Sequence, residues 1–167
     1  LQRLEETRRG LEMIIEAAST LFDFKSMQRL AEGVLTQIDS LLAVECAGIL
    51  VLRDGGRSDD SLSVLAGSGC YRQMARQTGR GLEAALDPQL EALVRQAFER
   101  RRHEFQDGRS VLYLRTASGR EVVVLLESAK RLSETARTLV EVFCSRLSVA
   151  FDNVILYEQL QDANARL

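Results

Sequence analysis

The apolar residues of the last stretch of the chain, residues 133–167, fall on two separate sides of a predicted helix. The stretch contains no proline and no glycine, and Ser133 and Glu134 suit a helix start. One apolar stripe recurs every three or four residues, as expected for a helix that lies on a core. Its members are Ala136, Leu139, Val140, Phe143, Leu147, Ala150, Phe151 and Val154. At about 1.5 Å per residue this helix is about 50 Å long, more than a small domain needs for itself.

The second stripe of the same helix has the alternating spacing of four and three residues that is typical of a coiled-coil seam. It consists of Val149, Asn153, Leu156, Leu160, Ala163 and Leu167. Asn153 is its polar member, and a polar residue in such a seam fixes the register of pairing at some cost in stability. We therefore predict that the helix begins inside a domain and ends as a connector, residues 156–167.

The start of the chain has a similar pattern. Apolar residues again step by three and four, with Arg8 in one slot; they are Leu1, Leu4, Leu11, Ile15, Ala18 and Phe22. Two interpretations stay open: a helix that packs on its own domain, or a dimer seam that continues from an upstream domain. We predict a linker helix over residues 1–24. The predicted homodimer interface comprises Leu4, Leu11, Ile15, Asn153, Leu156, Leu160 and Ala163.

Between these two helices the periodicity predicts a domain over residues 25–155. A second helix follows Ser26, and a third begins at Asp87-Pro88, where a capping residue precedes a proline at the first helical position. Alternating or continuous apolar runs predict strands over residues 44–52, 61–66, 103–105, 110–116 and 121–127. Hairpin-connected strands with helices before, between and after them indicate an α+β fold, an antiparallel sheet with helices on its faces.

Composition narrows the classes of function. The 167 residues carry a net charge of -2, which does not favour nucleic acid or an anionic membrane surface as a partner. No apolar run approaches the roughly 20 residues that span a bilayer. Three scattered cysteines fit a reducing compartment, so we expect a cytoplasmic protein. The chain starts without Met and both ends lie in helical patterns, so we expect it to be part of a longer protein.

Candidate chemistry is sparse. His103 is the only histidine, which rules out a site built on several histidines, and we expect no metal and no cofactor. Cys70 follows Ser68-Gly69 in a loop, but a nucleophile needs a base and nothing links His103 to it. The predicted ligand pocket lies on the loop side of the sheet and comprises Cys70, Tyr71, Arg72, His103 and Tyr113. The alternative is that these residues lie on different loops and never meet.

The element order resembles that of the GAF/PAS class, and GAF domains more than PAS domains. The sequences of residues 8–42 (RRGLEMIIEAASTLFDFKSMQRLAEGVLTQIDSLL) and 66–71 (AGSGCY) resemble those of a GAF-like domain of unknown function. That domain lies between receiver and HD-GYP domains in bacterial response regulators. The resemblance implies a sheet of about five to six antiparallel strands, flanking N- and C-terminal helices, and a pocket, when present, on the opposite face.

The resemblance also implies a role in signal transduction. A phosphoacceptor receiver would precede the chain, and a phosphodiesterase acting on cyclic di-GMP would follow it. The chain has no adjacent His-Asp pair and no Gly-Tyr-Pro, and it lacks the Asn-Lys-Phe/Asp-Glu motif of cyclic-nucleotide GAF domains. We therefore expect a non-catalytic dimerisation and coupling module. The alternative is a small-molecule sensor with a pocket between sheet and loops.

Overall fold

The structure is a computed structural model that describes residues 8–12, 27–42, 46–53, 62–71, 88–117 and 119–165. Residues 8–12 are helical. The elements that follow are α1 (Met27–Leu42), β1 (Cys46–Arg53), β2 (Leu62–Gly67), a 3-10 turn (Gly69–Tyr71), α2 (Pro88–Arg100), β3 (Glu104–Gln106), β4 (Arg109–Arg115), β5 (Glu121–Ser128) and α3 (Glu134–Ala165). Three predicted interface or pocket residues, Leu4, Ile15 and Arg72, lie outside the described residues.

The described strands form one antiparallel sheet in the order β2-β1-β5-β4-β3. This arrangement confirms the predicted α+β class and the strand number. Strand β5 lies in the middle, and its first six residues, Glu121 to Leu126, are all buried. A central strand is covered on both faces, which explains why its sequence, EVVVLLE, is a continuous apolar run rather than an alternating one.

Most predicted boundaries differ from the structure by one or two residues. The prediction that β4 includes Thr116 was wrong, since the strand ends at Arg115. The reason is the hairpin turn: Thr116 N–H donates to the Arg120 carbonyl at 2.8 Å, and Arg120 N–H donates to Thr116 Oγ1 at 3.1 Å. The helix starts were better predicted, because α2 begins at Pro88 and Ser133 Oγ accepts the Ala136 N–H at 3.1 Å as a cap.

Helices α1 and α3 cover one face of the sheet. Phe143, Leu147 and Phe151 of α3 are completely buried, and Leu30 and Ile38 of α1 lie in the same cluster. Each such side chain contributes about 1.5–3 kcal/mol relative to an exposed one. The first predicted stripe of α3 is therefore confirmed as core, with Ala136 partly buried at its edge.

Helix α2 covers the other face. Its Val94 and Phe98 are buried against Ile49, Val51 and the alternate residues of β5. The two cores are separate because successive strand residues point to opposite faces. The domain is thus a three-layer arrangement, with α1 and α3 on one side of the sheet and α2 on the other.

The helical residues 8–12 pack against α3. A Cβ atom placed on Gly10 would lie 2.4 Å from Cδ2 of Leu139, so a larger residue there would require the Leu139 side chain to shift. The next residue, Leu11, remains 40% exposed. No helix in the described ranges is both long enough and apolar enough to cross a membrane.

Candidate functional site

The structure brings two of the predicted pocket residues to the same face of the sheet. Tyr71, at the end of the 3-10 turn, is buried in the core beneath α2, and Tyr113 of β4 packs against that core from its edge. The preceding Cys70 belongs to the same turn, but its side chain is not among those described. Ligand binding by these residues stays a prediction.

The imidazole of His103 contacts the backbone of Tyr113 and not its phenol ring. Its Nδ1 accepts a hydrogen bond from the Tyr113 N–H at 3.1 Å, just before β3 begins. The bond joins the two strands just beyond their last paired residues, Glu104 and Val111, and it requires an unprotonated Nδ1. Burial lowers the pKa of His103, and the nearby charge of Glu141 on α3 only partly opposes this effect.

We expect the protein to lose stability through His103 in the pH window below 6.5. Its pKa in the folded state lies below the ordinary 6.5, so the unfolded state binds the proton more readily and stability falls as the pH drops through this window. The variant His103→Asn keeps an acceptor in place of Nδ1 but does not titrate. Urea unfolding at several pH values should show a flatter profile for this variant, and parallel profiles for both proteins would contradict the assignment.

A polar cluster that the sequence did not reveal joins β1, β4, β5 and the end of α2. The buried carboxylate of Glu121 accepts hydrogen bonds from Arg53 Nη2 at 2.6 Å and from the Tyr113 hydroxyl at 2.5 Å. Arg101 Nε lies 3.8 Å from the same carboxylate, and the Arg53 guanidinium lies 5.1 Å from the centre of the Phe98 ring. We call these five residues the Glu121 cluster.

The Glu121 cluster holds fixed protonation states. Burial alone would raise the pKa of Glu121, but the hydrogen bonds from Tyr113 and Arg53 and the charges of Arg53 and Arg101 outweigh it and lower the pKa. Burial, together with the hydrogen bond to Glu121 and its charge, raises the pKa of Tyr113 to about 12. The pair remains a neutral donor and an ionised acceptor near pH 7, which suits a structural latch better than acid–base catalysis.

A cleft of about 160 Å³ lies between α2 and the β3–β4 hairpin. Its apolar lining comes from Leu93, Ala97 and Val111, and its polar lining from Gln96, Arg100, Glu104, Gln106 and Arg109. Arg100 Nη1 donates to both carboxylate oxygens of Glu104, at 3.0 and 2.8 Å, and Arg109 Nη2 donates to Glu127 Oε1 at 3.1 Å. The Nε of Arg109 is buried and has no hydrogen-bond partner.

The second stripe of α3 is solvent-exposed. Val149, Leu156 and Leu160 are 53%, 57% and 63% exposed, and Asn153 and Ala163 are exposed as well. Beside the stripe, Asp152 Oδ2 accepts the Ala117 N–H of the β4–β5 hairpin at 2.8 Å. The predicted seam residues of α3 therefore form an apolar row that no other described residue buries.

Other chemistry is not assembled in the described part of the chain. It holds no group of three or more histidine, cysteine or acidic side chains that is placed to bind a metal. Cys144 is buried in the α1–α3 core, and burial, followed by the charge of Glu141, raises the pKa of its thiol to about 12. This thiol therefore behaves as a small apolar side chain rather than as a nucleophile.

A family model described as a domain of unknown function, DUF3369, matches residues 1–160. The chain is also 22% identical over 167 residues to a 3'3'-cGAMP-specific phosphodiesterase 2 from Vibrio cholerae serotype O1. That alignment covers 98% of this chain but 31% of the relative, so the chain spans less than a third of the phosphodiesterase.

Solved GAF domains share the fold. The GAF domain of an Acinetobacter phosphoenolpyruvate-protein phosphotransferase superposes with a TM-score of 0.66 at 12% identity, covering 87% of this chain and 94% of that domain. The corresponding domain from Coxiella burnetii gives a TM-score of 0.63 at 10% identity, covering 95% and 98% of the two chains. Identities this low establish the GAF-like fold and nothing about ligands.

Proposed function

The chain belongs to the DUF3369 family of domains of unknown function, and from this premise we propose that it is a non-catalytic regulatory module that forms a homodimer through its terminal helices. The observation that carries the proposal is the exposed apolar row of α3. Large apolar side chains at coiled-coil spacing are rarely left in water unless a partner covers them.

A second copy of the chain is the partner that fits this row best. Two-fold pairing sets the same surface of one copy against itself, so Leu156 and Leu160 of one protomer would contact the equivalent side chains of the other. Asn153 would lie in the same seam and fix its register. Leu11, exposed on the helical residues 8–12, adds an apolar side chain from the other terminal helix.

The dimer would serve to couple domains on either side of this one. The resemblance to response regulators supports an upstream receiver and a downstream HD-GYP phosphodiesterase acting on cyclic di-GMP, in a cytoplasmic protein. The similarity to a cGAMP-specific phosphodiesterase of which this chain spans 31% supports an enzyme elsewhere in the full-length protein.

Two hydrogen bonds to α3 support this proposed coupling. The hydrogen bond from Ala117 to Asp152 joins the β4–β5 hairpin to α3 next to the seam, and Glu158 Oε1 accepts the Met27 N–H of α1 at 3.1 Å. A change in the sheet or in α1 would therefore act on the same turns of α3 that carry the seam, and a shift in register or tilt would reach whatever follows the helix.

Breaking the seam should produce a monomer. We expect Leu160→Glu, alone or with Leu156→Glu, to separate the protomers because glutamate in the seam places two like charges opposite each other. Light scattering after gel filtration at micromolar concentration measures the mass. The matched control is Gln161→Glu, which adds the same charge at the next exposed position and should leave the dimer intact. A wild-type chain that is already monomeric at this concentration would contradict the proposed homodimer.

A further inference from the structure

The exposed apolar row of α3 has one polar member, Asn153, whose place in the repeat differs from that of most of its neighbours. The row steps by four, three, four and three residues from Val149 to Ala163. In the seven-residue repeat of a coiled coil, this spacing puts Val149, Leu156 and Ala163 at position d. It puts Asn153 and Leu160 at position a. All five side chains are exposed, so the whole row is available to a second helix.

Antiparallel pairing of two such helices would leave the amide of Asn153 against hydrocarbon. When the helices run in opposite directions, position a of one faces position d of the other. Every position d of the row is apolar, so in each such register the amide would face a side chain that forms no hydrogen bond. A buried polar group without a partner costs about 1–3 kcal/mol.

Parallel pairing gives the same amide a partner. Helices that run in the same direction and in register set each residue of the seam against its own copy. The Asn153 side-chain N–H of one protomer then donates to the Asn153 side-chain oxygen of the other, because an amide is both donor and acceptor. Leu156 and Leu160 likewise meet their equivalents, so polar faces polar and apolar faces apolar along the row.

The charged residues beside the row are compatible with this orientation. Those within residues 149–163 are Asp152, Glu158 and Asp162. Glu158 and Asp162 lie at positions f and c, which point away from the seam. Asp152 flanks the seam at position g, and in a parallel pair it would face Tyr157 of the second copy at position e, a hydroxyl rather than a like charge.

We propose that the two α3 helices pair in parallel and in register from Val149 onwards, so that both of their C-terminal ends leave the dimer side by side. The proposal rests on the homodimer proposed above and adds its orientation. The seam begins at Val149 because the preceding position a holds the exposed Arg146, and two arginines facing each other would repel. Packed helix axes lie about 8–10 Å apart, so the dimer presents whatever follows α3 as a symmetric pair.

Cysteine cross-linking of the 167-residue chain tests the orientation. Val149→Cys and Ala163→Cys are oxidised separately with copper phenanthroline, and the covalent dimer is measured on a non-reducing gel. In a parallel pair both thiols meet their own copies, so both variants should form the covalent dimer. In an antiparallel pair only residues near the two-fold axis do so. The two positions lie about 21 Å apart along the helix, so at most one variant would cross-link.

Two controls set the background of this experiment. The wild type measures cross-linking through the three natural cysteines. Asp162→Cys places a thiol next to Ala163 but at position c, where it is exposed outside the seam, and it should stay at the wild-type level. We expect the two seam variants to give at least about fivefold more covalent dimer than Asp162→Cys.

Asn153→Leu provides a second measurement. An apolar residue at this position removes the stability cost of the polar one, so the dimer dissociation constant in analytical ultracentrifugation should fall about tenfold. Association no tighter than that of the wild type would contradict the placement of Asn153 in the seam.

The outcomes separate the orientation from the dimer itself. A wild type that is monomeric by light scattering overturns both proposals. A dimeric wild type in which only one of the two seam variants cross-links, or neither does, overturns the parallel orientation and leaves the homodimer standing.

Discussion

Replacing Glu121 with alanine is expected to lower the free energy of unfolding by about 3 kcal/mol. The Glu121 side chain is 7% exposed, so its carboxylate stabilises the fold only because Arg53 and Tyr113 bind it closely. Without it, the guanidinium of Arg53, whose side chain is 21% exposed, loses its ion-pair partner, and the Tyr113 hydroxyl loses its acceptor. Urea unfolding at pH 7 measures the loss.

The matched control is Glu127→Ala on the same strand. Glu127 also pairs with an arginine on the neighbouring strand, Arg109, but the two side chains are 34% and 40% exposed. Exposed ion pairs contribute about 0.2–1 kcal/mol, so this variant should lose less than about 1 kcal/mol. Equal losses in the two variants would show that burial of the Glu121 cluster adds nothing.

Acid should reduce the effect of the Glu121 substitution. The pKa of Glu121 in the folded state lies below its ordinary 4.5, so its contribution to stability is present above pH 4.5 and is lost as the pH falls through the folded value. The difference between wild type and Glu121→Ala should therefore shrink in acid. A difference that does not change with pH would indicate a packing defect instead of a lost charge.

Replacing Gly67 with alanine is also expected to have a large effect, lowering the free energy of unfolding by about 2–3 kcal/mol. A Cβ atom on Gly67 would lie 2.2 Å from the Tyr71 carbonyl oxygen and 2.8 Å from its carbonyl carbon. Backbone atoms cannot move aside as a flexible side chain can, so the 3-10 turn must shift. That turn carries Cys70 and delivers Tyr71 to the α2-side core.

Hydrogen exchange would show where the Gly67 variant changes. Ser68 donates its N–H to the Gly48 carbonyl at 2.8 Å, and Gly48 donates its N–H to Ser68 Oγ at 2.9 Å. Both amides should exchange faster in Gly67→Ala. The control Gly119→Ala meets no atom within 4 Å but has a φ of 89°, so it isolates conformational strain and should cost about 1 kcal/mol. A fully stable Gly67→Ala would mean that the turn adapts freely.

The sequence by itself determined the elements of this protein and their class. Helices and strands follow from local periods of 3.6 and 2, which are visible within ten to twenty residues. The run EVVVLLE predicted a strand, and the pairing of the strands placed that strand, β5, in the middle of the sheet, where both of its faces are covered. The two stripes of α3 were also visible in the sequence, because helical spacing assigns residues to one side of the helix or another. The buried Phe143 and the exposed Leu160 lie on the sides that the spacing predicts.

Only the tertiary structure decided which residues meet. The Glu121 cluster depends on the pairing of β1 with β5, which brings Arg53 opposite a residue 68 positions away. The cleft depends on how α2 packs against the β3–β4 hairpin, because Leu93 of α2 and Val111 of β4 line it together. Register and packing are long-range properties that no local pattern records. The same holds for the seam, because its spacing marks α3 for pairing but only the folded chain shows that its own described residues leave the row uncovered.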